Sequence, residues 1–249
     1  MNIDDLIIPD WPAPKGVKAL STTRVGGVST GAWSSLNLGD RCGDSSENVR
    51  RNRQLLQSVL PAKPRWMRQV HGITVAGAGH DQPDPEADAA VSSKSCQVLP
   101  ILTADCLPVL LCDQDGTCVG AAHAGWRGLS GGVIEATVSQ MKAPVDRLIA
   151  WLGPAIGRKA YEVGDDVLEA FESFQGPVGT GLLKSFAPSG DRWMLHLAGA
   201  ARIMLEGLGI QRVYGGDFCT YSEPDRFFSY RRDGDTGRMA SLIWLASKE

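Results

Sequence analysis

Residues 98–112 read VLPILTADCLPVLLC, and residues 118–128 read CVGAAHAGWRG. Within them, 98–103, 109–112 and 118–123 are short apolar or β-rich runs bounded by Gly, Pro or polar breaks. Their lengths suit strands better than helices. Further runs of this kind lie at 17–23, 65–75, 89–92, 148–152, 212–214, 227–230 and 241–246.

Four helices are expected among these strands. Asp44 and Glu47 form a capping-box pattern, with Val49, Leu56 and Leu60 on one face behind it. Residues 129–142 carry Val133, Thr137 and Met141 at helical spacing. Asp166 and Glu169 repeat the cap signal beside Val167, Phe171 and Phe174. Asp191 opens the clearest helix, in which Trp193, Leu197, Ala201, Met204 and Leu208 recur until Gly209 stops it. Strands and helices mix without strict βαβ alternation. The expected fold class is therefore α/β with mixed (α+β) sheets, in one domain spanning 1–249. The segment 81–88 (DQPDPEAD) reads as an exposed loop within it.

Composition narrows the function classes. The chain has 249 residues, 43% hydrophobic, enough for a large core without disulfide staples. A formal charge of −3 gives no global basic field for nucleic acid or an anionic membrane. The longest apolar run, 98–112, is interrupted by Pro100, Asp105 and Pro108, so no membrane span is expected. Six scattered cysteines without a CxxC, and an acidic N-terminal opening, fit a reducing cytoplasm. A monomer or small homo-oligomer is expected.

The chemistry-bearing residues cluster near run ends. His71 sits in QVHG, Asp105 and Cys106 in TADC, and His123 in HAGWRG. Imidazole and thiolate suit a zinc ion, and a catalytic zinc keeps three protein ligands and one open position. His71, Cys106 and His123 supply three such donors. Taken singly, each also reads as an ordinary residue: Cys106 as core filler, the histidines as hydrogen-bonded side chains. Taken as a pair, Cys106 and His123 read as nucleophile and base. Copper is accepted by the same donors as zinc. HAGWRGLSGG reads either as an anion-holding helix entry or as a strand–turn–helix corner. Arg127 in that loop pairs with phosphate or with a core carboxylate. Tyr161 and Glu162 stand just before a helix, facing a ligand or forming a hydrophobic staple. FFSYRR (227–232) reads as an aromatic–arginine platform for a planar base and an anion, or as an edge strand. Cys219 in DFCTYSE is either buried or near the site.

Together these blocks resemble the YfiH family, also called the laccase-domain or peptidoglycan-editing-factor family. The resemblance rests on STTRVGGVSTGAWSSLNLGD, VRRNRQ, RQVHG, DAAVS, LTADCLPVLL, AAHAGWRG, GPAIGRKAYEVG and GGDFCTYSEPDRFFSYRRDGDTGRMASLIWL, in the family's order over nearly the whole chain. It implies the family's own α/β domain, similar in fold to the catalytic domain of cytotoxic necrotizing factor. It also implies a metal, usually zinc, on His71, Cys106 and His123. The implied activities are phosphorolysis of adenosine, inosine and 5′-methylthioadenosine and deamination of adenosine, with purine nucleosides and phosphate as partners. Older labels make the family a copper polyphenol oxidase, and one branch is linked to editing of muropeptide precursors. Within matched blocks, Arg53, Arg127 and Arg231 are candidate phosphate contacts. Asp105 and Glu162 are candidate proton shuttles for water attack at C6 of adenine, and Asn37 either holds a ribose hydroxyl or forms a turn. His196 departs from the resemblance, which implies Asp there. It is expected to be a buried, hydrogen-bonded histidine on the helix face shared by Trp193 and Leu197.

Overall fold

The computed structural model describes residues 3–77, 84–174, 176 and 178–247. In chain order the elements are β1 (Val17–Ser21), α1 (Ser46–Gln57), β2 (Val75–Ala76), β3 (Ala89–Ser92), β4 (Leu99–Thr103), β5 (Leu107–Asp113) and β6 (Val119–Ala124). They continue with α2 (Trp126–Gly131), α3 (Val133–Gln140), β7 (Leu148–Leu152), β8 (Glu162–Val163), α4 (Asp165–Glu172), β9 (Phe186–Ser189) and β10 (Arg192–Leu195). The last are α5 (Leu197–Gly207), β11 (Arg212–Gly215), α6 (Tyr230–Asp233) and β12 (Met239–Leu245).

A six-stranded mixed sheet, ordered β11-β7-β5-β6-β3-β2, carries the molecule. Its central pairs β7–β5, β5–β6 and β6–β3 are antiparallel, and its outer pairs β11–β7 and β3–β2 are parallel. A second, antiparallel sheet is ordered β1-β12-β4, and a third β8-β10-β9. The α/β class with mixed sheets is thus the observed one.

Both faces of the large sheet are buried. Along β5, Val109 and Leu111 pack into one hydrophobic cluster with α3, α4 and α5, while Leu110 and Cys112 pack into a second against β4 and β12. Strand β7 divides likewise: Leu148, Ala150 and Leu152 face one side, Ile149 and Trp151 the other. A strand buried on both faces reads as a continuous apolar run, which is how 109–112 and 148–152 appear in sequence. On β12, Met239 and Ile243 join the second cluster, and Leu242 and Trp244 a third with Leu56 of α1.

Several expected elements take another form. The helix expected over 129–142 is two, α2 and α3, because Gly132 between them adopts φ 95°. The helix expected from Asp191 begins at Leu197. Trp193 instead lies on β10, because Gly190 (φ 62°) and Asp191 close a hairpin in which Arg192 faces Ser189. His196 is consequently the N-cap of α5 and half-buried, off any helix face. The capping box of Asp44 and Glu47 is not formed. Ser45 is the N-cap, Asp44 accepts from Ser29 and Asn37, and Glu47 pairs with Arg50. Of 65–75, only Val75 enters a regular strand. Residues 227–230 form no strand; Ser229 instead caps the short helix α6 by accepting from the Arg232 N–H. Of the loop expected at 81–88, residues 81–83 lie outside the described residues, as does His80.

Candidate metal centre

Sheet register brings the donors together at one end of the large sheet. Pro108 at the start of β5 faces His123 on β6, which places Cys106, in the preceding turn, beside that histidine. Ala89 of β3 faces Ala122, so Asp88 lies next to His123 on the opposite flank. The loop before β2 then delivers His71 with φ 62°, off any strand, which corrects the expectation that QVHG ends one. That loop is tied down by Gln69, whose side-chain amide exchanges two 2.8 Å hydrogen bonds with the backbone of Leu102.

The ligand atoms of His71, Cys106 and His123 all lie within 4.8 Å of one another. Cys106 Sγ is 3.8 Å from His71 Nε2, and the two imidazole rings sit edge to face at 4.8 Å between centroids. Bonds of about 2.0–2.3 Å around a tetrahedral ion separate the ligands by roughly 3.3–3.8 Å. The three donors therefore need only small movements to enclose one ion, and two imidazoles with a thiolate fit zinc or copper.

Asp88, given no role by the sequence, organises the group. It is fully buried, and its carboxylate accepts the backbone N–H groups of Val70, His71 and Gly72 at 3.1, 2.9 and 2.8 Å. The same carboxylate lies 2.8 Å from His123 Nδ1. It thus fixes the left-handed backbone of one ligand and turns Nε2 of another toward the thiol. A carboxylate behind a ligating histidine sets its tautomer and raises its basicity. Burial would raise the Asp88 carboxyl, but the His123 ring and the Gly72 and Val70 amides hold it below its ordinary value.

Electrostatics follow the same geometry. Burial would raise the Cys106 thiol, yet the charges and hydrogen bonds of His123 and His71 outweigh it and pull it down to about 6. Burial opposes charge on His123, but Cys106 and Asp88 raise it to about 9. The lowered thiol and the raised imidazole favour a thiolate beside an imidazolium, and a cation held there would displace the remaining proton. Gly125 makes this packing feasible: a Cβ there would stand 2.8 Å from Cys106 Sγ and 3.2 Å from a His71 ring carbon. Its φ of −66° shows that space, and not backbone conformation, demands glycine.

The donors open into a cleft of about 520 Å³, lined also by Arg41, Arg127, Tyr161, Tyr230, Arg231 and Arg238. The Arg127 guanidinium lies 4.2 Å from the Trp126 ring centroid, and that of Arg231 lies 5.1 Å from that of Tyr161. Burial, with the nearby charges of Cys106 and Asp105, pushes the Tyr161 phenol upward, so it stays protonated. Arg41 lies in no matched block, and Arg238 lies in one but was given no role; their place in the fold brings both to the cleft.

Other expected site residues are placed elsewhere or held. Asp105 lines the cleft at φ 90°, but its carboxylate accepts from Thr220 Oγ1 (2.6 Å) and the Arg231 N–H (2.7 Å), which braces the turn carrying Cys106. Asn37 is fully buried. Its side-chain amide donates to Gly39 and Asp44 and accepts from the Gly39 and Arg238 amides, so it holds a turn and does not line the cleft. Arg53 stacks 4.2 Å over Trp66 and pairs with Asp40 at the wall of a separate cavity. The Glu162 side chain turns to Arg192 and Ser189, away from the cleft, while its carbonyl accepts from Arg231. Cys219 accepts from the Gly157 N–H and does not line the cleft.

The fold and donor set define a mixed α/β protein with a transition-metal-capable cleft. The chain belongs to the laccase-domain or YfiH family: the family model described as multi-copper polyphenol oxidoreductase laccase matches residues 18–246. It is 49% identical over 243 residues to the Escherichia coli protein named purine nucleoside phosphorylase YfiH, covering 96% of this chain and 98% of that one. A Pseudomonas aeruginosa protein, purine nucleoside phosphorylase PA4543, is 48% identical with the same coverage. Among solved structures, Neisseria meningitidis protein NMB0706 superposes with a TM-score of 0.92 at 47% identity, covering 98% of this chain and 100% of that one. Bacillus licheniformis YfiH gives 0.84 at 28% identity, covering 92% of each chain.

Proposed function

We propose that this chain is a metal-dependent purine nucleoside phosphorylase, acting on adenosine, inosine and 5′-methylthioadenosine, that also deaminates adenosine. The observation that carries this reading is the convergence of His71, Cys106 and His123 at a cleft rich in arginines. The names of the relatives support it. His71, Cys106 and His123 would hold the ion, zinc or copper. When bound, such an ion supplies Lewis acidity and a lowered pKa for water.

The protein's own side chains do the rest. Arg127 and Arg231 present guanidinium groups braced on aromatic rings, suited to charge-assisted hydrogen bonds with phosphate. A phosphate oxygen held there forms a bond to C1′ as the glycosidic bond breaks. The electron pair of that bond leaves on the purine nitrogen, and a proton neutralises it. The protonated Tyr161 phenol and the Trp126 ring give the cleft wall one hydrogen-bond donor and one flat surface beside a purine.

A second reading is favoured by the low-lying thiol. The Cys106 thiolate adds to the carbonyl of a muropeptide amide, the C–N bond breaks as His123 protonates the leaving amine, and the neutral imidazole then serves as base for the water that releases the acyl group. The two readings make opposite demands on metal, since a coordinated thiolate is a poor free nucleophile. The test is to incubate metal-loaded and chelator-treated protein with adenosine, with and without phosphate, and separately with a muropeptide. The first reading expects adenine and ribose 1-phosphate only with phosphate, inosine without it, inosine and its product hypoxanthine with it, and none of these after chelation. Absence of all these products from the loaded protein, with amide cleavage by the chelated one, would replace it with the second.

A further inference from the structure

We propose that a cavity remote from the metal centre in sequence is a second binding site, taking a small phosphorylated molecule with an uncharged body, such as a sugar phosphate. The cavity, of about 390 Å³, is lined by Arg158, Lys159, Lys184 and His196, with Phe186 and Met194 as apolar wall.

Among the described residues, no carboxylate lines it. Arg158, Lys159 and Lys184 make no ion pair among the described residues, whereas seven other arginines do. The concentration is local, because the chain as a whole is negative. The cations arrive from two separate segments, Arg158 and Lys159 from the loop after β7 and Lys184 from the residues before β9, while His196 is the N-cap of α5. Folding therefore gathers like charges around one concavity without an internal counter-charge. An anionic ligand would supply the counter-charge that this concavity does not provide. Burial, together with Arg158 and Arg202, holds His196 below its ordinary value, so it contributes a neutral imidazole that can hydrogen-bond a hydroxyl or a phosphate.

The cavity exceeds what a bare phosphate ion fills, and its Phe186–Met194 wall suits the body of a larger molecule. It is distinct from the metal cleft, with no lining residue in common. The two are nonetheless joined by one loop, in which Arg158 and Lys159 face the cavity and Tyr161 faces the cleft. Backbone bonds from Leu195 to Tyr161 and from His196 to Ser185 fasten that loop and the residues before β9 to the start of α5.

The test is calorimetric titration of the metal-loaded full chain at near-physiological salt, with ribose 5-phosphate, inorganic phosphate and ribose as probes. The expected result is binding of ribose 5-phosphate more tightly than of inorganic phosphate, and none of ribose. R158A/K184A should weaken ribose 5-phosphate by at least about tenfold, whereas R231A in the metal cleft should leave that event in place. Both substituted positions are exposed; a thermal melt verifies folding, and K184E alone serves if the double variant fails to fold. Equal affinity in wild type and R158A/K184A, loss of binding in R231A alone, or no binding of ribose 5-phosphate at millimolar concentration overturns the proposal.

Discussion

Asp88 carries more of the site than any single ligand. One carboxylate holds three successive amides of the His71 loop and the far nitrogen of His123. Replacing it with Asn keeps the size but gives the His123 Nδ1–H a weaker acceptor and sets an amide N–H₂ among donors. D88N is expected to lower zinc affinity by about 10–100-fold, measured by chelator competition. Unchanged affinity would mean that the carboxylate only supports the loop. The candidate metal ligands were legible as family blocks and not as spacing, since they are 35 and 17 positions apart and match no local zinc motif. Asp88 was not legible at all. It stands in DAAVS, but its partner is chosen by the register of β3 on β6, which no local pattern encodes. Asn37 and Glu162 show the converse: their residue types invite ligand roles, and the fold employs them in turns and ion pairs.

At the scale of elements, the site depends on how closely α2 approaches the turn before β5. G125A is expected to abolish stoichiometric metal binding, because the added carbon contests the space of Cys106 Sγ and the His71 ring. Metal analysis of the purified variant tests this, and full occupancy would contradict it. Helix α3 offers a pH-dependent prediction. Both Glu135 carboxylate oxygens are buried, without a hydrogen-bond partner among the described residues, and burial raises its pKa above the ordinary value. The folded state therefore binds more protons than the unfolded one between the ordinary and the raised value, so stability falls as pH rises through that window. E135Q should melt higher than wild type at neutral pH, with the gap closing below about pH 4; a gap independent of pH would refute the burial argument. Elements were readable where burial decides them, as in β5 and β7. They were misread where a glycine does. The Gly190–Asp191 pair is a two-residue hairpin signal, but the apolar spacing beyond it also matched a helix, and that reading obscured β9 and β10.

At the scale of the molecule, the candidate metal centre sits at the end of the large sheet while the hydrophobic clusters fill both its faces. Chelation should abolish phosphorolysis while leaving far-ultraviolet dichroism intact, with a lower melting temperature from lost ligand stabilisation. Collapse of the dichroism on chelation would instead make the ion a folding nucleus. The central claim is that one ion is shared by three side chains from distant parts of the chain. X-ray absorption at the zinc edge of the zinc-loaded protein tests it most directly. The account predicts one sulfur scatterer at about 2.3 Å and two imidazole nitrogens at about 2.0–2.1 Å, with the sulfur lost in C106S. A first shell without sulfur in the unsubstituted protein would contradict it.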